Sequence, residues 1–307
     1  MCLVSIVITC FNAQETIERA VLSAILQDWP EKEIIIIDDF STDKSYELLS
    51  KIAQKNPEII LIRHKSNLGY PAALNTAIKK TNGEFIAIFD ADDINSKNRL
   101  SSQIKRIEEY EEKNIDSMIL CYSNRDVFKF KSIKADHIAY AIGRNSPEPF
   151  GEEVAEYILG IPTNPTKVWG MFGSCTLMAR KSVFNQVGPF DESFRRCAEW
   201  DFAIRASFLE AHFISVNQSL IKMFKTPSSY KAGRIPLLYS LKIRDKYKPY
   251  LESRGFFNAS KLIAKSNFYF NKKNLFLGML FKLCSLIISP KLLTRLFIKK
   301  FSKLIKR

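Results

Sequence analysis

The chain has 307 residues, 46% of them hydrophobic and 25% charged, long enough for one large α/β domain plus an appendage. Its six cysteines (Cys2, Cys10, Cys121, Cys175, Cys197 and Cys284) are scattered without a C-x-x-C pair, which argues against a disulfide framework or a zinc site and points to a reducing compartment. The net charge of +14 is uneven: no acidic residue follows Glu252, whereas thirteen of the 46 basic residues do. A nearly neutral body with a strongly basic tail implies a polyanionic surface as the tail's partner.

Taken in order, apolar runs alternate with helical patterns. Leu3 to Thr9 reads as a first strand of the mature protein, since no basic region precedes it as in a signal peptide. Asn12, with Glu15 three residues on, reads as a capping box for a helix running to about Asp28, before Pro30. Glu33 to Ile37 reads as a second strand ending in Asp38-Asp39, and Ser41-Thr42-Asp43 caps a helix to about Ala53. Ile59 to Ile62 is a third strand, Asn67 to Pro71 a turn, Ala72 to Lys80 a helix, and Asn82-Gly83 a turn. Strand–helix alternation with short links predicts a parallel sheet covered by helices. The polar residues that end these strands, Thr9, Asp38, Asp39, Arg63, His64 and Asp90, then share one sheet edge. For Arg63 and His64 the plain reading is that polar residues follow buried strands, and none of the three histidines has ligand spacing.

Phe85-Ile86-Ala87-Ile88-Phe89 ends in Asp90-Ala91-Asp92-Asp93. A short unbroken apolar run reads as a strand buried on both faces, and ligands of open α/β sheets bind where such strands end. Three neighbouring carboxylates raise one another's pKa, and a hard divalent cation carrying phosphate oxygens removes that conflict. The bland alternative is a surface loop in which aspartate caps the helix that follows.

Ser96 to Glu112 reads as an amphipathic helix, and Met118 to Tyr122 and Val127 to Phe130 as two short strands. Residues 136–167 hold four prolines and read as an irregular excursion with a short helix near Glu152 to Leu159, of the kind that often forms lids or binding loops. Phe172 to Ala179 reads as a loop into a strand, and Glu199 to Leu209 as a helix. The apolar run Leu275 to Ile288 is too short to span a bilayer. Residues 291–307 place Leu293, Phe297, Phe301 and Leu304 on one face and Lys291, Arg295, Lys299 and Lys303 on another. That pattern predicts a helix in a membrane interface or one docked on the body; no nucleic-acid motif accompanies it.

Six motifs in order, covering about residues 3–225, resemble family 2 glycosyltransferases of the GT-A fold. They are Val7 to Asn12; Ile36-Ile37-Asp38-Asp39-Phe40-Ser41-Thr42-Asp43, with Phe40 where glycine is usual; Asn67-Leu68-Gly69 with Ala73-Leu74-Asn75; Asp90-Ala91-Asp92-Asp93; Gly173 to Met178 with Val187 to Glu192; and Ala198-Glu199-Trp200-Asp201-Phe202. The resemblance implies a Rossmann-like, mostly parallel sheet with a nucleotide-sugar half (1–112), an acceptor half (113–226) and a basic helical extension (227–307). It implies a nucleoside-diphosphate sugar donor, Mg²⁺ or Mn²⁺, and a glycan or lipid-linked acceptor. Thr9, Phe11 and Asp39 would hold the base, with Asn67 beside them and Asp90 near the ribose. Asp92 would ligate the metal, supported by Asp93. Glu199 would be the base, with Asp201 as alternative. The metal-binding His of many relatives is missing from Met223-Phe224-Lys225-Thr226-Pro227, leaving Thr226 or water in its place. The expected activity is inverting sugar transfer for surface polysaccharide, at the cytoplasmic face of a membrane held through residues 275–307. A non-catalytic assembly partner, or an enzyme with a soluble or protein acceptor, are the competing expectations. A nucleotidyltransferase would need a glycine- and basic-rich loop after the first strand, which Cys10 to Gln14 is not.

Overall fold

The computed structural model describes residues 2–129, 132–225 and 233–296. The N-terminal half is a parallel sheet in the order β3 (Ile59–Arg63), β2 (Lys32–Asp38), β1 (Val4–Cys10) and β4 (Phe85–Asp90). Strands β1, β2 and β4 are runs of Ile, Val and Phe because both their faces are covered, whereas β3 lies at the edge and exposes Ile60. Helices α1 (Ile17–Ile25), α2 (Ser45–Ala53) and α3 (Tyr70–Lys80) supply the crossovers. The sheet continues through β8 (Met178–Arg180), β6 (Ile119–Phe128), β9 (His212–Phe224) and the two-residue β5 (Ile94–Asn95), while β7 (Ala135–Ala139) pairs with β6. One sheet thus runs through both halves, with a hydrophobic core on each side. The α/β class is as expected.

Several local expectations change. Asn12 does not cap a helix; its backbone is left-handed (φ 50°) and its Oδ1 accepts from the Thr42 amide, so it ties two strand-end loops together. Residues 119–128 form one ten-residue strand, not two short ones, because β9 pairs with it along its length and supplies the partners that its polar middle needs. The irregular stretch contains β7 and α5 (Glu152–Ile158). After β8 come α6 (Lys181–Val187) and α7 (Ala198–Phe208).

The C-terminal extension folds against the body. Helices α8 (Ile235–Lys246), α9 (Lys248–Ser253) and α10 (Phe257–Asn271) place Ile243, Leu251, Ala259 and Ile263 in the main core. Helix α11 (Leu275–Ile288) packs on α10, where Gly278 is required because a Cβ would lie 2.6 Å from the Phe270 ring. Residues 291–296 are helical, with Leu292 buried and Arg295 paired to Glu156 at 2.6 Å. The start of the basic tail therefore docks on the protein. Phe297, Lys299, Phe301, Lys303 and Leu304 lie outside the described residues.

Helix α4 (Arg99–Glu111) braces the strand that carries the acid cluster. The fully buried Arg99 guanidinium donates to Asn95 Oδ1 (2.5 Å), Gln103 Oε1 (2.9 Å) and the carbonyls of Ile88 and Leu177, and lies 4.3 Å over the Phe89 ring. Burial pulls its pKa down to about 10, so it stays charged. Arg99→Met would leave buried acceptors unpaired, and urea unfolding should show a loss of ~3 kcal/mol.

Candidate active site

The parallel strands end along one rim. Cys10 is in register with Asp38 and Thr9 with Asp90, so the ends of β1, β2 and β4 lie side by side. Phe11 follows β1 with 49% of its surface exposed. Asp39, after β2, is buried: its Oδ1 takes the Leu68 amide (2.9 Å) and His64 Nδ1 (2.7 Å), and its Oδ2 the Gly69 amide (2.7 Å). A carboxylate has about four acceptor positions, so one remains, on Oδ2. Asn67 donates to the Asp39 carbonyl and accepts from Arg195, which reaches over from the loop before α7. His64 also meets Thr76 at 3.0 Å and so anchors the Asp39 cradle to α3, more than a polar residue trailing a strand. Asn75, in the same motif, clamps another: its side chain bonds both backbone sides of Phe190 and the Glu192 carboxylate.

At the end of β4, Asp90 and Asp93 come together with Cys175, their ligand atoms all within 4.8 Å of one another. Asp93 is 2% exposed; Oδ1 accepts the Phe224 amide, and Oδ2 has no hydrogen-bond partner among the described residues. Burial, then the Asp90 and Asp92 charges, push its pKa well above the usual carboxylate range. Asp92 is not part of this trio; its carbonyl accepts from Arg19, whose guanidinium stacks 4.1 Å over Phe224. In this trio Asp93 is buried and Asp90 half-buried; of the expected pair Asp92 and Asp93, Asp93 lies in it. Tyr70 OH bonds Ser174 Oγ at 2.8 Å and approaches Asp90 at 3.4 Å.

Glu199 is half-buried in the first turn of α7. Burial raises its pKa, while the Arg196 and Arg125 guanidinium groups oppose the rise. Arg125, in the middle of β6, donates to Cys175 Sγ at 3.0 Å and also feels the Asp93 and Asp90 charges. Nothing in the sequence flagged it, since a strand interior reads as packing. Asp201 is different in kind. It is wholly buried and accepts from Arg205 Nε (2.9 Å), Lys246 Nζ (2.5 Å) and Tyr247 OH (2.7 Å). A carboxylate held by two cations and a phenol, away from solvent, is poorly placed to take a substrate proton, and these contacts make Asp201 an anchor of the C-terminal extension.

The glycosyl transferase family 2 model matches residues 5–185. The chain belongs to that family. This glycosyltransferase is 27% identical to the UDP-Glc:alpha-D-GlcNAc-diphosphoundecaprenol beta-1,3-glucosyltransferase WfaP of Escherichia coli, over 72% of this chain and 76% of that protein. It is 26% identical to the amylovoran biosynthesis glycosyltransferase AmsB of Erwinia amylovora, over 81% and 79%. A match to an uncharacterized Haemophilus influenzae glycosyltransferase, 35% identical, spans 34% of this chain and 42% of that protein. The fold is also that of the S. aureus TarS structure in complex with UDP-GlcNAc (TM-score 0.60, 15% identity, 92% of this chain and 79% of that one).

The acid cluster of this glycosyltransferase fits a hard divalent cation. An orphaned buried carboxylate oxygen beside a second carboxylate offers the oxygen ligands that Mg²⁺ or Mn²⁺ takes. The third member, Cys175, offers a soft sulfur, which a hard cation takes less readily than carboxylate oxygen.

The two α7 carboxylates should separate by stability. Asp201→Ala strands two cations and should lower unfolding stability by ~3 kcal/mol. The folded pKa of Glu199 lies above its unfolded one. Between those values the fold holds a proton that the unfolded chain has released, so stability falls as pH rises through that window. Glu199→Gln should abolish that slope and match or exceed the wild type at neutral pH, read by chemical unfolding at pH 4 to 8.

Proposed function

We propose that this glycosyltransferase moves a hexosyl or N-acetylhexosaminyl group from a nucleoside diphosphate, read as UDP, to a hydroxyl of a glycan or lipid-linked acceptor, with inversion, in cell-surface polysaccharide synthesis. The observation that carries the reading is Arg125, whose guanidinium donates to Cys175 Sγ within the Asp90–Asp93–Cys175 cluster and whose charge also acts on Glu199, which supports one shared site. The printed names of WfaP and AmsB support the class of product.

In this reading Thr9, Phe11, Asn67 and the remaining acceptor position of Asp39 hold the base, and Asp90 lies toward the ribose. Asp90 and Asp93, with Asp92 beside them, hold Mg²⁺ or Mn²⁺. The bound cation offsets charge on the departing diphosphate. Glu199 accepts the acceptor's hydroxyl proton as that oxygen bonds to the anomeric carbon, and the bond from that carbon to the diphosphate oxygen breaks. Burial suits Glu199 to the task, because a raised pKa makes its carboxylate a stronger base.

Calorimetric titration with UDP, GDP and dTDP, with and without Mn²⁺, tests the donor site. One diphosphate should bind, more tightly with metal, and Asp92→Ala should weaken that enhancement; binding of none would sink the reading. Glu199→Gln should keep nucleotide affinity while losing 10²–10⁴-fold in turnover.

A second part of the proposal concerns place. No helix among the described residues is long and apolar enough to cross a membrane. Helix α11 nevertheless exposes Phe276, Met279, Leu280, Leu283 and Ile287 at helical spacing, with exposed Lys272, Lys273 and Lys291 around it. An apolar stripe rimmed by lysines suits an anionic membrane surface, and the six free cysteines suit its cytoplasmic side. Met279→Asp with Leu283→Asp should cut binding to phosphatidylglycerol vesicles by about a hundredfold in co-sedimentation, given ~1.5–3 kcal/mol per buried large side chain. Unchanged binding would place the membrane contact elsewhere.

A further inference from the structure

Phe40 stands where both its backbone and its surroundings favour something else. Its φ is +63°, in the left-handed region that favours glycine or asparagine, and its ring is 41% exposed, so core packing does not require a large apolar side chain there. The turn is held on both sides. Asp39 is fixed by His64, Leu68 and Gly69, and Ser41 is fixed by Asp38 Oδ2 (3.2 Å), the Asn12 amide (3.0 Å) and Arg63 Nη2 (2.9 Å). Backbone strain persists where such surroundings over-determine it, and it gathers at functional sites. The Arg63 guanidinium lies 5.6 Å from the Phe40 ring centroid, but it sits closer, at 4.4 Å, to Tyr46, so that contact does not require Phe40. Phe11, which follows the neighbouring strand β1, is also exposed, and the register of Cys10 with Asp38 brings its backbone beside the turn that holds Asp39 and Phe40.

We propose that Phe40 is a nucleobase-binding residue of the donor site, its exposed ring a stacking platform for the base. The inference rests on the donor-site reading above and deepens it. A planar base has a π-face for an aromatic side chain, whereas a diphosphate has none. Replacing the ring should therefore weaken nucleoside diphosphates and leave pyrophosphate alone.

The test is calorimetric titration of the full chain with UDP and with pyrophosphate, both in Mn²⁺, for wild type, Phe40→Gly, Phe40→Asn and Phe40→Tyr. Glycine and asparagine both tolerate the left-handed backbone, so one stands in if the other fails to fold. Both should bind UDP about tenfold more weakly, within the range for one base-stacking contact. Pyrophosphate affinity should not change, and Phe40→Tyr should bind UDP as the wild type does. Equal UDP affinity in wild type and Phe40→Asn overturns the inference and leaves the donor site standing. An equal loss for pyrophosphate and UDP also overturns it, since the ring would then act on the diphosphate side. A wild type that binds no nucleoside diphosphate overturns the donor-site reading and this inference with it.

Discussion

Like charge gathered at one buried strand end is the constraint around which this site is built. Asp90 and Asp93 lie close together where β4 leaves the sheet, and Asp93 is almost wholly buried. Such a cluster is tolerable only with positive charge near it. The chain supplies two guanidinium groups from different elements: Arg99 from α4, wholly buried, and Arg125 from β6. Arg125 reaches them through its charge and through its bond to Cys175 Sγ, and Asp93 Oδ2 keeps no hydrogen-bond partner among the described residues. A direct buried ion pair would consume the acceptors that a divalent cation needs. The placement explains why a neutral-looking strand interior contains an arginine at position 125, and why Gly173 lies against it, where a Cβ would fall 2.6 Å from its Nη1.

The second half of the molecule answers to Glu199. Its helix begins just after Cys197, whose backbone is left-handed (φ 67°), and within one turn that helix presents both Glu199 and Asp201. Asp201 faces inward and is gripped by Lys246 and Tyr247 at the end of α8. Lys246 also pairs with Asp191 (2.7 Å), and Lys242 donates to the Ser193 carbonyl (2.6 Å). The extension thus holds the loop and the first helical turn that present Glu199. The same extension carries the apolar stripe of α11, which packs on α10 through the Tyr269–Phe281 ring pair and the Ser266–Gly278 hydrogen bond. A continuous run of packed helices therefore joins the proposed membrane face to the turn that carries the proposed base.

The sequence was most legible where one physical demand acted alone. Strands β1, β2 and β4 are apolar runs because parallel strands are buried on both faces, and their ends followed from the polar residues that stop them. Legibility failed where distant partners decide. Asn12 has the composition of a cap, but Thr42, thirty positions away, claims its side chain. Residues 119–128 looked like two strands because Ser123 to Asp126 are polar, and only the pairing with β9 makes that stretch continuous. β9 itself was not read as an extended strand, since Asn217-Gln218-Ser219 interrupt its apolar character where the register shifts. The acids stand together in the sequence, yet the partner of Asp93, the Phe224 amide, lies far along the chain.

Four carboxylates near this rim have the same local signal, an acid after an apolar run or in a helix's first turn, and the structure separates them by what already occupies their oxygens. Asp201 is saturated by two cations and a phenol, so it holds structure. Asp39 is nearly saturated by two amides and an imidazole, which leaves a single directed acceptor position, enough for one hydrogen bond of defined geometry. Asp93 keeps one oxygen buried without a hydrogen-bond partner among the described residues, a state that favours either a proton or a metal ion. Glu199 is half-buried; burial raises its pKa, opposed by its own backbone amide and by Arg196 and Arg125. That is the environment in which a carboxylate gains basicity and stays ready to receive a proton from an incoming hydroxyl. Function in this rim is thus assigned less by which residues are acidic than by how much of each one's hydrogen-bonding capacity the fold leaves unspent.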